Sequence, residues 1–252
     1  PRRHDVERRC SMLWAFRQSL GEFIKNPMAF FMARKQEWRS TRVNLLGDRD
    51  VEWAWVAGHM PDGPGEALDF GNGGGPLGLL AVQRGFSVTA VDLEPVAWPY
   101  DVQQLRFVRG DLMDLPLPQL HYDLVINCST VEHVGLSGRY GVMESRSDGD
   151  LDAMRILRGA MKPGGRMLLT IPVGKDAVFP PITRIYGTER LPRLLDGLDV
   201  DAEQYWIKNA ANRWTVCDRQ SALDFKASAG SWNPLQNVYA LACLVLRRVH
   251  VP

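Results

Sequence analysis

The stretch from Glu66 to Asp92, EALDFGNGGGPLGLLAVQRGFSVTAVD, reads as strand, glycine turn, helix, strand, and it limits the fold more than any other part of the chain. Ala67, Leu68 and Phe70 form a short apolar run that ends in glycines, as a buried parallel strand does. Pro76 suits the first turn of a helix, where its missing N–H would be unpaired in any case. Leu77, Leu79, Leu80 and Val82 give that helix an apolar side, and Gly85 stops it. Ser87 to Val91 is a second, β-branched strand with Asp92 just past its end. Such a unit holds a nucleotide-like ligand at the carboxyl ends of its strands. Glycine lets the backbone come close, and the acid after the second strand can accept both ribose hydroxyls.

Two registers fit the turn. Gly73, Gly75 and Gly78 match the dinucleotide pattern G-x-G-x-x-G, with Asp92 at the spacing of roughly 20 residues that it uses. Asp69, Gly71, Gly73 and Gly75 match acid-x-Gly-x-Gly-x-Gly instead. The second register resembles motif I of the class I S-adenosylmethionine (SAM) methyltransferases. There the acid at the strand end faces the aminoacyl part of the cofactor, and no pyrophosphate is held. An acid just before the turn would repel a pyrophosphate, which favours this register. An NAD(P)-dependent oxidoreductase remains the alternative at this point.

The chain of 252 residues, 45% hydrophobic, can bury one sizeable core or one core plus an extension. A net charge of +1 argues against a protein that holds nucleic acid or an anionic membrane mainly by electrostatics. Cys10, Cys128, Cys217 and Cys243 show no C-x-x-C spacing, the usage of a reducing compartment without a disulfide framework or zinc site. The longest apolar run near the end, Tyr239–Leu246, is too short to cross a bilayer, and no signal peptide is visible. A cytoplasmic location is the expectation.

Residues 1–58 differ from the rest. Trp14, Phe16, Phe23, Phe30, Phe31 and Trp38 lie among arginines and lysines in helical stretches interrupted at Pro27. A helical cap on the main domain is the favoured reading over a pair of membrane-surface helices, because Glu22 and Glu37 dilute the charge. Met60–Gly65 is a linker, and Pro95–Gln104 a short crossover. Leu105–Val108 is the third strand, followed by Asp111, and His121–Cys128 the fourth. Asp150–Met161 is a helix, and Lys162-Pro163-Gly164-Gly165 turns into a fifth strand, Arg166–Val173. Gly174–Tyr186 is a long loop, and Thr188 caps a helix over Glu189–Leu195. Leu198–Lys208 and Val238–Arg248 are the last strands, an antiparallel pair, with 214–232 irregular between them.

From Arg49 to Arg248 the chain resembles the class I SAM methyltransferases. The resemblance implies an α/β fold in which a seven-stranded, mostly parallel, doubly wound sheet with an antiparallel last strand occupies 59–252. Residues 1–58 form the N-terminal helical extension. Glu132-His133-Val134-Gly135-Leu136 and Arg139-Tyr140-Gly141 after strand four are similar to a branch often associated with glycan or nucleotide-sugar biosynthesis. Ile171-Pro172-Val173-Gly174 and Arg184-Ile185-Tyr186 resemble the same branch. By this resemblance the cofactor is SAM. Its contacts fall on Asp69, Gly71, Asn72, Gly73, Gly75, Asp92, Leu93, Asp111, Leu112, Cys128 and Ser129, with Asp111 accepting from the adenine amine and Leu112 packing on the ring.

The metal-dependent small-RNA 2′-O-methyltransferases carry Glu-x-x-Glu-His at this place. Here Ser129 replaces the first glutamate, and no metal is expected. Glu132 and His133 can form a structural pair, a general base or a metal pair, in that order of preference. His133 is the candidate base, as the histidine at the cofactor end of a core strand. Arg139, Tyr140 and Arg184 are candidates for orienting the acceptor, arginine being suited to phosphate or carboxylate. The expected activity is O-methylation of a small hydroxyl-bearing intermediate, a sugar or nucleotide-sugar by the resemblance. A catalytically silent SAM-fold module is a further alternative. RNA is disfavoured, since no basic stripe interleaved with aromatics runs through the core.

Overall fold

The computed structural model describes residues 48–96, 102–209, 213–232 and 236–249, all within the compact unit Leu45–Pro252. The expected cap, up to residue 47, lies outside the described residues. Among the described residues no helix is long and apolar enough to cross a membrane.

Strands β1 (Gly65–Phe70), β2 (Phe86–Asp92), β3 (Leu105–Arg109), β4 (Tyr122–Cys128) and β5 (Met161–Val173) are parallel, in the order β3-β2-β1-β4-β5. Beyond β5 come β10 (Ala240–Arg248), then β8 (Leu198–Lys208), then β9 (Trp214–Cys217). β10 runs antiparallel to both neighbours, so β8 keeps the direction of the first five strands. The expected antiparallel pair at the end of the chain is therefore present.

Among the described residues the sheet has eight strands, not seven. The additional one is β9, within the segment read as irregular, and it pairs antiparallel with β8 from Tyr205↔Cys217 to Lys208↔Trp214. It is four residues long and only Trp214 is buried, too little pattern for a periodicity to register. Two further differences fall in 174–195. The expected loop contains a small antiparallel hairpin of β6 (Ala177–Phe179) and β7 (Thr183–Ile185). The helix after it, α4 (Arg190–Leu194), is not capped by Thr188. The carboxylate of Asp176 accepts from the N–H groups of Gly187, Glu189 and Arg190 instead.

Alternation along the strands separates two apolar layers. Leu68 and Phe70 of β1 face a cluster that includes Met154 and Leu157 of α3 (Gly149–Ala160), Leu191 of α4 and Leu223 of α5 (Arg219–Leu223). Ala67 faces the other cluster, with Val51, Trp55 and Val56 of α1 (Asp48–His59) and Leu77 and Ala81 of α2 (Leu77–Gln83). Helices thus cover both faces, as a doubly wound sheet requires.

α2 docks closely because Gly78 has no side chain. A Cβ there would lie 2.9 Å from Asp69 Oδ2 and 3.2 Å from Leu105 Cδ1. We expect Gly78→Ala to lower stability by about 1–3 kcal/mol, the usual range for overpacking, despite the better helix propensity of alanine. Urea denaturation would show the midpoint fall, and an unchanged midpoint would contradict this packing.

Candidate active site

The carboxyl ends of the first four strands open on a cavity of about 830 Å³, within the size range of small-molecule sites. The glycine turn forms part of its floor. Gly71 has φ of 69°, and a Cβ on it would lie 2.0 Å from the Thr130 side chain, so both backbone and packing exclude any other residue. At Gly73, φ 56°, the nearest atom to an added Cβ is the Gly71 oxygen at 3.9 Å, and the space belongs to the cavity.

Asp92 and Asp111 line this cavity, with Leu93 and Leu112 beside them. The Asp92 carboxylate accepts from Gly73 N–H at 2.8 Å and Glu94 N–H at 3.0 Å, which joins the turn to the end of β2. Asp111 Oδ1 accepts from Met113 N–H at 2.9 Å and so caps the turn after β3 while lining the wall. Ser129, His133 and Tyr140 also line the cavity.

Other sequence candidates are placed elsewhere. Asp69 does not face the cavity. Its carboxylate is buried behind the turn, accepting from Asn72 Nδ2 at 2.5 Å and from the N–H of Gly78 in the first turn of α2. Period-two alternation dictates this, since Asp69 shares its side of β1 with Ala67. Burial pushes the Asp69 carboxyl up to about 6 against the effect of those hydrogen bonds. Asn72 locks the turn from inside, Oδ1 accepting from Gly74 N–H at 3.0 Å. Gly75 makes room for Trp53, whose ring would lie 3.4 Å from an added Cβ. Cys128 is buried below the floor, where burial pushes its thiol far up and Thr170 Oγ1 lies 3.5 Å from the sulfur.

Arg184 is corrected from a substrate contact to a strut. It is 2% exposed, and its guanidinium donates to the carbonyls of Glu132, Val134 and Arg146. Arg139 donates to the Ile182 carbonyl at 3.2 Å and lies 4.5 Å from the centre of the Tyr140 ring, outside the cavity lining. The wall from Val134 to Arg146 is consequently fixed from behind, with Tyr140 presented at its surface in the left-handed region, φ 53°.

Glu132 and His133 occupy the 3-10 turn Val131–His133 after β4. Glu132 is buried and accepts from Ser129 Oγ at 2.6 Å. Burial pushes its carboxyl up to about 7. His133 Nδ1 lies 2.7 Å from the Ile182 carbonyl oxygen. Burial, and then the Arg139 charge, press the imidazole down to about 3, so it is neutral at ordinary pH. Among the described residues no group of three or more His, Cys, Asp or Glu is arranged to hold a metal ion.

Sequence reasoning missed Arg49. It lies on α1 ahead of the glycine motif, lines the cavity, and donates to Glu52 Oε2 at 3.2 Å and the Cys128 carbonyl at 3.3 Å. Burial acts against its charge, but Glu52 and neighbouring groups raise its pKa overall. The only signal was an Arg–Glu pair three residues apart, which is common on any helix surface.

The sequence model of the family described as "Caenorhabditis protein of unknown function, DUF268" matches residues 118–227, from just before β4 to just past α5. No curated protein matches the chain. Among solved structures, the [4+2]-cyclase SpnF has a TM-score of 0.53 at 17% identity, covering 80% of this chain and 81% of that one. A Listeria monocytogenes protein assigned as an S-adenosylmethionine dependent methyltransferase has 0.54 at 10%, covering 81% and 100%. An S-adenosylmethionine dependent methyltransferase from Mesorhizobium loti has 0.51 at 16%, covering 78% and 97%. At these identities the likeness establishes a shared fold.

The two buried acids set a stability profile. A carboxyl whose folded value is raised binds more protons folded than unfolded. Its favourable contribution is present below the unfolded value, about 4, and lost as pH rises through about 6 for Asp69 and about 7 for Glu132. Glu132→Gln removes one of these titrations. We expect its melting temperature, relative to wild type, to rise by several degrees between mildly acidic and mildly alkaline buffer, for a difference on the order of 2 kcal/mol. Parallel melting curves at all pH values would show that Glu132 does not titrate in this range.

Proposed function

We propose that this chain is a SAM-dependent methyltransferase that transfers the methyl group to a hydroxyl of a small acceptor, a sugar or nucleotide-sugar being the first class to test. The observation that carries the cofactor reading is the position of Asp69. Its buried carboxylate lies directly behind the glycine turn and accepts from the Gly78 N–H in the first turn of α2, so the donors and the charge on that side of the turn are already answered by an acid. A second anion there would meet a buried carboxylate, whereas a sulfonium cofactor brings none to that place. Asp92, at the rim, offers acceptors for a ribose diol, and Asp111 with Leu112 and Met113 forms a wall suited to an adenine. The open space over Gly73 supplies room for the cofactor's chain. The fold shared with methyltransferases supports the same reading.

SAM, when bound, supplies an electrophilic methyl group on sulfur. The chain's task is then to hold the acceptor oxygen in line with it, and positioning of this kind can lower a barrier by about 7–11 kcal/mol. Tyr140, His133 and the wall from Val134 to Arg146 are the surfaces that would orient the acceptor.

Thermal shift and calorimetry with S-adenosylhomocysteine and with NADH test this. A ligand at 100 times its dissociation constant adds about 2.7 kcal/mol. We therefore expect S-adenosylhomocysteine to raise the melting temperature by roughly 5–10 °C for a domain of this size. Asp92→Ala should weaken its binding about tenfold or more, the value of a charged hydrogen-bond acceptor. Stabilisation by NADH alone would replace this reading with the oxidoreductase, and no response to either would favour a silent module.

A further inference from the structure

Among the described residues, Glu132 is the one buried acid of the site with an unused oxygen. It is 1% exposed, Oε1 accepts from Ser129, and Oε2 has no hydrogen-bond partner. A buried polar atom left unpaired costs stability, so a merely structural pair has no reason to keep it. Ser129, which fixes Oε1, holds a φ of 52°, and such strain in a non-glycine residue concentrates at functional sites.

The neighbouring histidine is oriented for use. The Ile182 carbonyl can only accept, so His133 Nδ1 carries the ring hydrogen and Nε2 carries the lone pair. That Nε2 lies 3.7 Å from Glu132 Oε1, and His133 lines the cavity. Arg139 donates to the same Ile182 carbonyl, which further fixes the ring's partner.

We propose that Glu132 is the proton reservoir of the site, receiving through His133 the proton that a hydroxyl acceptor releases as it is methylated. This rests on the methyl-transfer reading above and narrows its substrate class to acceptors that keep their proton at neutral pH, as alcohols do. As the acceptor's oxygen gains its bond to the methyl carbon, its O–H bond breaks and the proton passes to Nε2. The sulfur keeps the electron pair of the broken S–C bond and becomes a neutral thioether. The imidazolium so formed faces the ionised Glu132, which shares or takes the proton, and the pair returns it to water through the cavity.

The surroundings explain why two groups are needed. Burial and the Arg139 charge leave His133 by itself a weak base. Glu132 is faced by Arg49 and Glu52 from α1, by Ser129 and His133 on its own segment, by Tyr140 and Tyr186, and by Arg184, which holds its backbone carbonyl. In that setting the pair binds one proton near neutrality, whichever atom carries it.

Ring-¹⁵N histidine spectra of the full chain test the proposal, with His133→Gln identifying the His133 signals. In wild type the His133 ring nitrogens should shift across neutral pH, with Nδ1 protonated throughout. In Glu132→Gln that step should vanish, and in Glu132→Asp, kept as a second variant should the first not fold, it should move in pH. A His133 titration that is the same in wild type and both variants would overturn the proposal and leave a structural pair. Calorimetry with S-adenosylhomocysteine on the same samples reports the cofactor reading separately. Heat without the coupled step removes only the reservoir, whereas the coupled step without heat removes the methyl-transfer reading.

Discussion

The glycine turn after β1 is held between two carboxylates, and the rest of the site takes its position from that clamp. Asp69 grips it from behind through Asn72 and the first turn of α2. Asp92 grips it from the cavity side through Gly73. Three glycines in the left-handed region, Gly71, Gly73 and Gly74, let the chain pass between them. Neither acid could be moved one residue along. A shift of one place in β1 would turn the Asp69 carboxylate to the opposite face of the sheet, into the layer of Leu68 and Phe70. The same acid also takes up the Gly78 N–H in the first turn of α2, so turn and helix are secured by one carboxylate.

The opposite wall depends on buried charge. Arg184 donates to three backbone carbonyls of the segment between Glu132 and Arg146, and its Nε lies 3.6 Å from Asp150. Asp150 is itself fully buried and bonded to Arg190. Removing one partner from such a desolvated cluster typically costs about 3–5 kcal/mol, since the remaining charge has no water to turn to. A segment with left-handed residues at Gly135, Gly138, Tyr140 and Gly141 would otherwise have many conformations open to it. Fastened from inside, it can present Tyr140 and His133 at fixed positions.

What could be read from the sequence, and what could not, differs between the strands, the turn residues and the arginines. Strands β1, β2, β3 and β5 were legible because their apolar runs end in glycine or acid, and β9 was not because four residues with one buried tryptophan carry no period. In the site, Gly71, Gly73, Asp92, Asp111 and Ser129 line the cavity, while the equally short Asn72, Gly75 and Cys128 lie behind or beneath it. The two candidate arginines do not line it. A guanidinium several bonds from its backbone takes the tertiary partner that is available, and sequence spacing does not specify which. Arg184 and Arg139 therefore went to carbonyls, while Arg49, on a helix ahead of the motif, took the place at the cavity. Asp69 differs from these. Its position on the strand was read correctly, but its facing was taken from resemblance when alternation along β1 already placed it with Ala67, away from the cavity.

Asp69 and Glu132 show why a raised carboxyl does not by itself mark a catalytic group. Burial is the leading cause in both, and the resulting values differ little, about 6 and about 7. Their hydrogen bonding differs. Asp69 is answered by an amide side chain and a helix N–H, neither of which can take up or pass on a proton at neutral pH. Glu132 has one oxygen bonded to Ser129 and another without a side-chain partner among the described residues, and a near neighbour of the bonded oxygen is an imidazole nitrogen with a lone pair. A change in the charge of Asp69 can therefore only strain the turn, whereas a change in the charge of Glu132 is felt directly by a group that lines the cavity. Of two acids shifted by the same physics, only Glu132 combines an oxygen unpaired among the described residues with a proton-exchanging neighbour, and that difference, not the shift, separates a candidate from a strut.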